Sequence, residues 1–119
     1  MKTGLEGALS MLGLARRGGR VVSGDRAVLA ACKSGQAQVI LLARDASENT
    51  RRRFREAAAR AGVAVQEVGD KVRFGEALGQ SPRAVVAVTH RGFAKAVVER
   101  LASQPAGRPG GGEESLESD

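Results

Sequence analysis

Residues 20–35 read RVVSGDRAVLAACKSG, which places a short β-branched pair, a Ser-Gly step and a helix-forming segment in immediate succession. The β-branched pair predicts a short strand, and the apolar spacing over 25–34 predicts a helix with Gly35 as its stop. A strand that passes directly into a helix is typical of α/β domains. The stretch therefore predicts an α/β fold with Gly24 at the mouth of a helix.

Helical and strand patterns alternate on both sides of this stretch. Thr3 and Glu6 have the spacing of a capping box and open a helix that ends near Gly18. The apolar runs 39–43 and 84–88 lack polar alternation, which is typical of strands covered on both faces of a sheet. The remaining predicted elements are a helix from Asp45 or Ser47 to about Ala61, a strand over 63–68, a helix capped by Asp70 and ending at Leu78, and a helix from Phe93 to about Ala102.

Helices separate nearly all of these strands. The simplest arrangement is a single-domain three-layer α/β/α sandwich with a small mixed sheet. The run Arg51-Arg52-Arg53 belongs to the third predicted helix and is expected to lie largely in solvent.

The composition sets the limits of this domain. The chain has 119 residues and 42% hydrophobic content, enough for one core, which we assign to a domain over 1–103. Residues 104–119 are rich in Gly, Pro and acids and predict a disordered tail. No apolar run reaches the length of a membrane span, and the only cysteine, Cys32, fits a small core residue in a reducing cytosol. We therefore expect a cytoplasmic protein without a membrane partner.

Charge points to the class of partner. The net charge of the chain is +6. Residues 105–119 have a net charge of −3, so the rest of the chain has a net charge of +9. A field of this sign on a small domain favours a polyanion, and nucleic acid is the common one in the cytosol. Drift of surface lysine to arginine in an arginine-rich proteome is the alternative explanation.

Patterns for catalysis are absent from the sequence. His90 is the only histidine, no serine or cysteine motif surrounds it, and a loop or capping role suits it better than a catalytic one. There is no phosphate-binding G-x-x-x-x-G-K-[ST] loop and no metal-ligand cluster. The sequence predicts a protein that is not an enzyme and has neither cofactor nor metal.

Aromatic content narrows the way in which RNA would be bound. The chain has no Trp or Tyr, and Phe54, Phe74 and Phe93 all fit core positions. Binders of single-stranded RNA stack bases on exposed aromatic side chains, so contact through backbone and basic groups is expected instead. Gly24 would allow close approach to a helix N-terminus, Asp25 would cap the helix or accept from base amino groups, and Arg26 would donate to a guanine edge or a phosphate. Ordinary capping is the alternative explanation of the same residues.

Four segments in order resemble a known family: LGLARRGGRVVSG (12–24), SGQAQVILLARDAS (34–47), VGDKVRFGEALG (68–79) and RAVVAVT (83–89). Together they look like the kink-turn RNA-binding family of ribosomal proteins and ribonucleoprotein cores, and most like its bacterial, YlxQ-like branch. The resemblance covers roughly residues 8–102. It implies an α/β/α sandwich that binds a sharply bent, G·A-paired internal loop of RNA without catalysis.

The resemblance also implies which residues bind RNA. Relatives use an amide and an acid at the start of the second helix, where this chain has Arg26 and Ala27, and many have lysine where this chain has Ala30. Losing those base contacts leaves kink-turn specificity weakened, altered or replaced by looser binding of structured RNA. The full set of predicted RNA-binding residues is Arg16, Arg17, Arg20, Ser23, Gly24, Asp25, Arg26, Lys33, Ser47, Lys71, Gln80, Ser81, Pro82 and Arg83.

The leading hypothesis is a monomeric RNA-binding protein whose partner is kink-turn or other structured, ribosomal RNA, with the ribosome as a candidate partner. A second hypothesis is a protein-interaction module on the same fold, with incidental RNA affinity. A third is a substrate-binding attachment of an RNA-modifying enzyme, for which the sequence supplies no cofactor site.

Overall fold

The structure of the protein is a computed structural model that describes residues 3–102. The tail predicted over 104–119 lies outside the described residues, as does residue 103. The elements in chain order are α1 (Gly4–Arg17), β1 (Val21–Ser23), α2 (Asp25–Lys33), β2 (Val39–Leu42), α3 (Glu48–Ala61), β3 (Ala64–Glu67), α4 (Lys71–Leu78), β4 (Val85–Val88) and α5 (Arg91–Ala102).

The strands form one mixed sheet in the order β1-β4-β2-β3. β4 runs antiparallel to both of its neighbours, with Val21 opposite Val88 on β1 and Leu42 opposite Val85 on β2. β3 pairs in parallel with β2, with Val39 opposite Ala64. The predicted small mixed sheet is confirmed.

Helices cover the sheet on both faces. Every residue of β2 and β4 is buried, and because successive strand residues point to opposite faces, neither face is open to solvent. α1 packs against α4 and α5, whereas α2 packs against α3. Phe54 and Phe74 are fully buried, and Phe93 packs against the core from a partly exposed position. The α/β class predicted from the sequence is therefore confirmed. Within residues 3–102, none of the helices combines the length and the apolar character needed to cross a bilayer.

Side-chain caps fix where the helices begin. The capping box of Thr3 and Glu6 is formed at the start of α1, and Asp70 accepts from the Arg73 amide at the start of α4. Of the two candidates for α3, Ser47 is the cap. Asp45 instead accepts a hydrogen bond from the Lys71 amide at 3.0 Å, so it ties the β2–α3 loop to the start of α4.

The arginine run of α3 differs from the sequence expectation. Arg52 is exposed, but Arg51 and Arg53 are only partly exposed because each forms an ion pair. Arg51 pairs with Glu48 at 2.8 Å, and Arg53 pairs with Asp25 at the start of α2. The partner of Arg53 is distant in sequence, so only the packing of α2 against α3 brings the pair together.

Candidate functional site

The strand register gives the sheet two ends with different loops. The turn end holds the loops that follow β1, β2 and β3 and the loop that precedes β4, which are residues 24, 43–47, 68–70 and 79–84. The far end holds the loops that precede β1, β2 and β3 and the loop that follows β4, which are residues 18–20, 34–38, 62–63 and 89–90.

The predicted RNA-binding residues divide between these ends. Ten belong to the turn end and its adjoining residues: Ser23, Gly24, Asp25, Arg26, Ser47, Lys71, Gln80, Ser81, Pro82 and Arg83. The other four, Arg16, Arg17, Arg20 and Lys33, belong to the far end. Arg20 and Gly24 are separated by the whole of β1, roughly 13 Å at the usual rise per strand residue. One compact site therefore cannot hold all fourteen.

Gly24 joins β1 to α2 in a conformation that favours glycine. Its φ is 90° and its ψ is 158°, a region that residues with a side chain rarely adopt. Its amide donates to the Val85 carbonyl at 3.0 Å, which extends the pairing of β1 with β4. A Cβ added there would meet no atom within 4 Å. The backbone angle requires glycine here, and the space beside it is open to a ligand.

The N-terminus of α2 lacks a side-chain cap. Gly24 is its N-cap and offers no acceptor to the first turn of the helix. In the described part of the chain the other helices have one: Thr3 for α1, Ser47 for α3, Asp70 for α4 and the His90 ring for α5. Free amide donors and the positive end of the helix dipole make this terminus attractive to an anion.

A short hydrogen-bond chain joins the start of α2, residues 23–27, which we call the α2 mouth, to the loop 79–84. The Ser23 hydroxyl donates to Gln80 Oε1 at 2.9 Å, and Arg83 Nε donates to the same oxygen at 3.2 Å. Arg83 also donates to the Ser81 hydroxyl at 3.2 Å. Ser23 is thereby brought together with Gln80 and Arg83, two other predicted residues that are distant from it in sequence.

The loop 79–84 is held firmly against α4. The Gln80 amide donates to the Gly75 carbonyl at 2.8 Å, and the Arg83 amide donates to the Lys71 carbonyl at 3.0 Å. A Cβ on Gly75 would lie 2.5 Å from the Ser81 carbonyl oxygen. The loop therefore packs directly on the backbone of α4, and its side chains are positioned before any ligand arrives.

Of the two charged side chains at the α2 mouth, one is held in an ion pair and the other is exposed. Asp25 does not cap α2 but pairs with Arg53, so its carboxylate is already partnered. Arg26 is exposed beside an open depression of about 460 Å³. That depression is lined by Ser23, Gly24, Asp25, Arg26, Ala27, Ala30 and Arg83. Of the two residues, Arg26 is the one free to contact a ligand.

The other predicted residues of the turn end have mixed roles. Ser47 is the α3 cap: its hydroxyl accepts from the Thr50 amide at 3.1 Å and donates to the Thr50 hydroxyl at 2.9 Å. Lys71, Ser81 and Pro82 are exposed around the loop 79–84. Ser47 is thus engaged in the structure, whereas Lys71 is exposed and forms no ion pair with another described residue.

The far end holds two exposed cations outside the set predicted from the sequence, Arg60 and Arg91. Arg60 lies in the last turn of α3, and with Lys33 it lines a depression between α2 and α3. Arg91 begins α5, one residue after His90. The signal in the sequence was the lack of acids from Ala57 to Gln66 and between Glu76 and Glu99, which acquires meaning only when the fold places the ends of α3 and β4 at the same end of the sheet.

Three titratable groups of the described residues have shifted pKa values, those of Glu67, Arg55 and Cys32. The hydrogen bond from Arg55 lowers the pKa of the Glu67 carboxyl, and the same bond raises the pKa of Arg55. Burial raises the pKa of the Cys32 thiol. His90 accepts from the Phe93 amide, which confirms the capping role predicted for it. Across residues 3–102 no three His, Cys, Asp or Glu side chains cluster in a way that could bind a metal ion.

Solved structures with this fold include two close in shape. A protein of unknown function from Bacillus halodurans C superposes with a TM-score of 0.77 and 28% identity, over 81% of this chain and 97% of that one. A 15.5 kD RNA-binding protein of Giardia lamblia superposes with a TM-score of 0.66 over 81% of this chain and 82% of its own. At 21% identity the latter comparison supports the fold alone.

Sequence comparisons identify the family. The RNA-binding protein YlxQ of Bacillus subtilis (strain 168) is 35% identical over 91 residues, which cover 76% of this chain and 91% of that protein. The RNA-binding protein YlxQ of Enterococcus faecium is 29% identical over 94 residues, covering 79% and 90%. The model of the ribosomal protein L7Ae/L30e/S12e/Gadd45 family matches residues 7–98. The chain therefore belongs to the ribosomal protein L7Ae/L30e/S12e/Gadd45 family, and the YlxQ-like resemblance predicted from its motifs is confirmed.

Proposed function

We propose that the protein is a non-catalytic RNA-binding protein that holds structured RNA at its turn end. The uncapped N-terminus of α2 carries the proposal, because no described side chain accepts from its first amides and an open depression beside them leaves room for an anion. The RNA-binding names of the YlxQ proteins support the same function. The free side chains that would contact phosphate or base edges are those of Arg26 and Lys71.

The finer part of the proposal is a preference for kink-turn RNA. The α2 mouth and the loop 79–84 are locked to each other through Ser23, Gln80 and Arg83, so they form a rigid surface that selects a backbone shape. By the family resemblance, Arg26 and Ala27 stand where relatives are expected to have an amide and an acid. We therefore assign recognition mainly to the shape of the RNA and less to hydrogen bonds with bases.

The proposed setting follows from this partner. Structured RNA of the ribosome is the proposed target, the cytoplasm is the proposed location, and the chain acts as a monomer. No cofactor has a part in the proposal, since binding uses only backbone donors and cationic side chains.

The test is a binding measurement with the full chain. Its affinity is compared for a kink-turn RNA and for the same RNA with Watson–Crick pairs in place of the G·A pairs, at two salt concentrations. Tighter binding to the kink-turn RNA at both concentrations is expected. Equal affinities with a steep salt dependence would refute the kink-turn preference and leave RNA binding through charge. No measurable binding to either RNA would refute the function.

A further inference from the structure

The two ends of the sheet differ sharply in charge. We compare each set of loops together with one turn of every adjoining helix. The turn end has six cations and five carboxylates: Arg26, Arg44, Arg51, Lys71, Arg73 and Arg83 against Asp25, Asp45, Glu48, Asp70 and Glu76. The far end has six cations and no carboxylate: Arg16, Arg17, Arg20, Lys33, Arg60 and Arg91. Among the described residues, the excess positive charge is therefore concentrated away from the α2 mouth.

The cations of the far end are free to bind a partner. All six are exposed, and within residues 3–102 none of them takes part in an ion pair. At the turn end, by contrast, Arg51 pairs with Glu48, Arg73 pairs with Asp70, and Arg83 is held by Gln80 and Ser81. Phosphates that approach the far end would meet side chains without a competing ion pair from any other residue of the described range.

Helix dipoles explain only part of this charge distribution. Arg16, Arg17, Lys33 and Arg60 lie in the last turns of α1, α2 and α3, where cations stabilise the negative end of the dipole. Arg20 lies outside any helix, and Arg91 is the first residue of α5, where the dipole disfavours a cation. Arg20 is tied to the same loop from which α5 starts, since the Thr89 amide, two residues before Arg91, donates to the Arg20 carbonyl at 2.8 Å. Stabilisation of the helices leaves this pair unexplained.

We propose that the far end binds a second segment of RNA, so that one molecule bridges two RNA segments. The inference rests on the proposed function for the first segment, held at the turn end. Five of the six cations are arginine, whose guanidinium binds phosphate through two parallel hydrogen bonds. The cores of protein–protein interfaces are depleted of charge, whereas a backbone of uniform negative charge suits a surface of one sign.

The ends are far enough apart to act separately. Arg20 and Gly24 are roughly 13 Å apart along β1, which exceeds the Debye length of about 8 Å at physiological ionic strength. Charge changes at one end should therefore have little direct effect on binding at the other. This separation makes the two sites distinguishable by mutation.

The experiment is a capture assay with the full chain at physiological salt. A kink-turn RNA is immobilised, the protein is added, and a fluorescent RNA hairpin without G·A pairs is offered as the second segment. The same samples are checked by sedimentation for a monomeric complex. The test variant is Arg20→Glu with Arg91→Glu. The matched control, Arg52→Glu with Arg100→Glu, makes the same change in net charge at exposed positions outside the far end.

The expected result is capture of the hairpin by wild type and by the control, with at least a tenfold loss of capture in the test variant. Affinity for the immobilised RNA should change less than threefold. No capture by wild type in an intact one-to-one complex would overturn the bridge. The bridge would also be overturned if the test variant, but not the control, lost binding of the immobilised RNA as well as capture of the hairpin. One RNA would then be in contact with both ends of the sheet.

The design also separates this inference from the proposed function. If the turn end does not bind RNA, the immobilised RNA is retained through the far end alone, and Arg20→Glu with Arg91→Glu removes it. Wild type then captures no hairpin, because its far end is already occupied by the immobilised RNA. In solution, wild type still binds the hairpin and the Arg20→Glu, Arg91→Glu variant does not. This result would support an RNA surface at the far end while refuting the turn-end site.

Discussion

The turn end and the far end of the sheet represent two different ways to attract an anion. At the turn end three helices begin, charges are largely paired, and the uncapped amides of α2 lie beside a loop locked by Gly75 and Gln80. At the far end three helices finish and exposed cations have no partner among the described residues. Fixed backbone donors can discriminate shape, whereas free side chains respond mainly to charge.

The direction of the helices explains why acids gather at one end. Asp25, Glu48 and Asp70 lie at or near helix N-termini, where carboxylates are stabilised. Arginines from α3 then pair with acids around this end, as Arg53 does with Asp25. The turn end thus carries little free charge, so its binding should depend more on geometry than that of the far end.

The largest effect is expected from Gly75→Ala. The added Cβ would lie 2.5 Å from the Ser81 carbonyl oxygen, so the loop 79–84 must shift. We expect a loss of about 1–3 kcal/mol in the free energy of unfolding, together with weaker RNA binding. Denaturant titration and binding assays measure both. Gly7→Ala is the control, since its Cβ meets nothing closer than 3.5 Å and alanine favours a helix. Equal stabilities of Gly75→Ala and wild type would contradict the packing described.

Gly24→Ala and Gly35→Ala compare the two ends of one helix. Both glycines have positive φ, 90° and 78°, and neither Cβ would meet an atom within 4 Å. Each substitution should cost about 1–3 kcal/mol of stability through backbone strain. Only Gly24→Ala should weaken binding of the kink-turn RNA, by roughly tenfold, because it displaces the amides of α2. Equal affinities of the two variants would refute the α2 mouth as the contact.

Asp25→Asn tests whether RNA binding at the α2 mouth is weakened by the negative charge of Asp25. The change removes a carboxylate beside the site and releases Arg53 from its ion pair. RNA affinity should increase, by roughly two- to threefold at low salt, a size typical of exposed charge pairs. Glu56→Gln, at an exposed position of α3, is the control for net charge. A decrease in affinity would show that the Asp25 carboxylate accepts hydrogen bonds from bases, the role that sequence reasoning offered.

The smallest effect is expected from Glu67→Gln. The Arg55 hydrogen bond lowers the pKa of Glu67 below its ordinary 4.5, so this group stabilises the fold above that pH. The stabilisation disappears as the pH falls through the lowered pKa. Stability of Glu67→Gln should therefore change slightly less than that of wild type between neutral and acid pH. Melting curves across this range check it, and identical acid dependence of both proteins would argue against the pairing.

Much of the fold could be predicted because its signals are local. The caps Thr3, Ser47 and Asp70 lie three residues from the amides they accept from, and the strands β2 and β4 are continuous apolar runs. The cap of α3 could not be chosen between Asp45 and Ser47. That choice depends on the Lys71 amide, which approaches Asp45 only in the folded chain.

The site was predicted less completely. Sequence reasoning located the α2 mouth and the loop 79–84, but it grouped Arg16 and Arg20 with them. It offered Asp25 as a cap of α2 or an acceptor for bases, whereas the structure pairs Asp25 with Arg53, and it did not single out Arg60 and Arg91. These differences between sequence and structure have a common cause, since neighbours across a sheet or between packed helices leave no periodic signal along the chain.

The sequence by itself determined the order of the elements, the apolar core, the place of Gly24 at the start of a helix and the excess of positive charge. Periodicity, capping and composition are properties of neighbouring residues, so they are present before the chain folds. The tertiary structure alone decided how that charge is divided. Strand register sets which loops share an end of the sheet, and helix packing sets which acids pair with arginines. As a result the turn end is nearly neutral and has a loop fixed by hydrogen bonds, whereas the far end is positively charged.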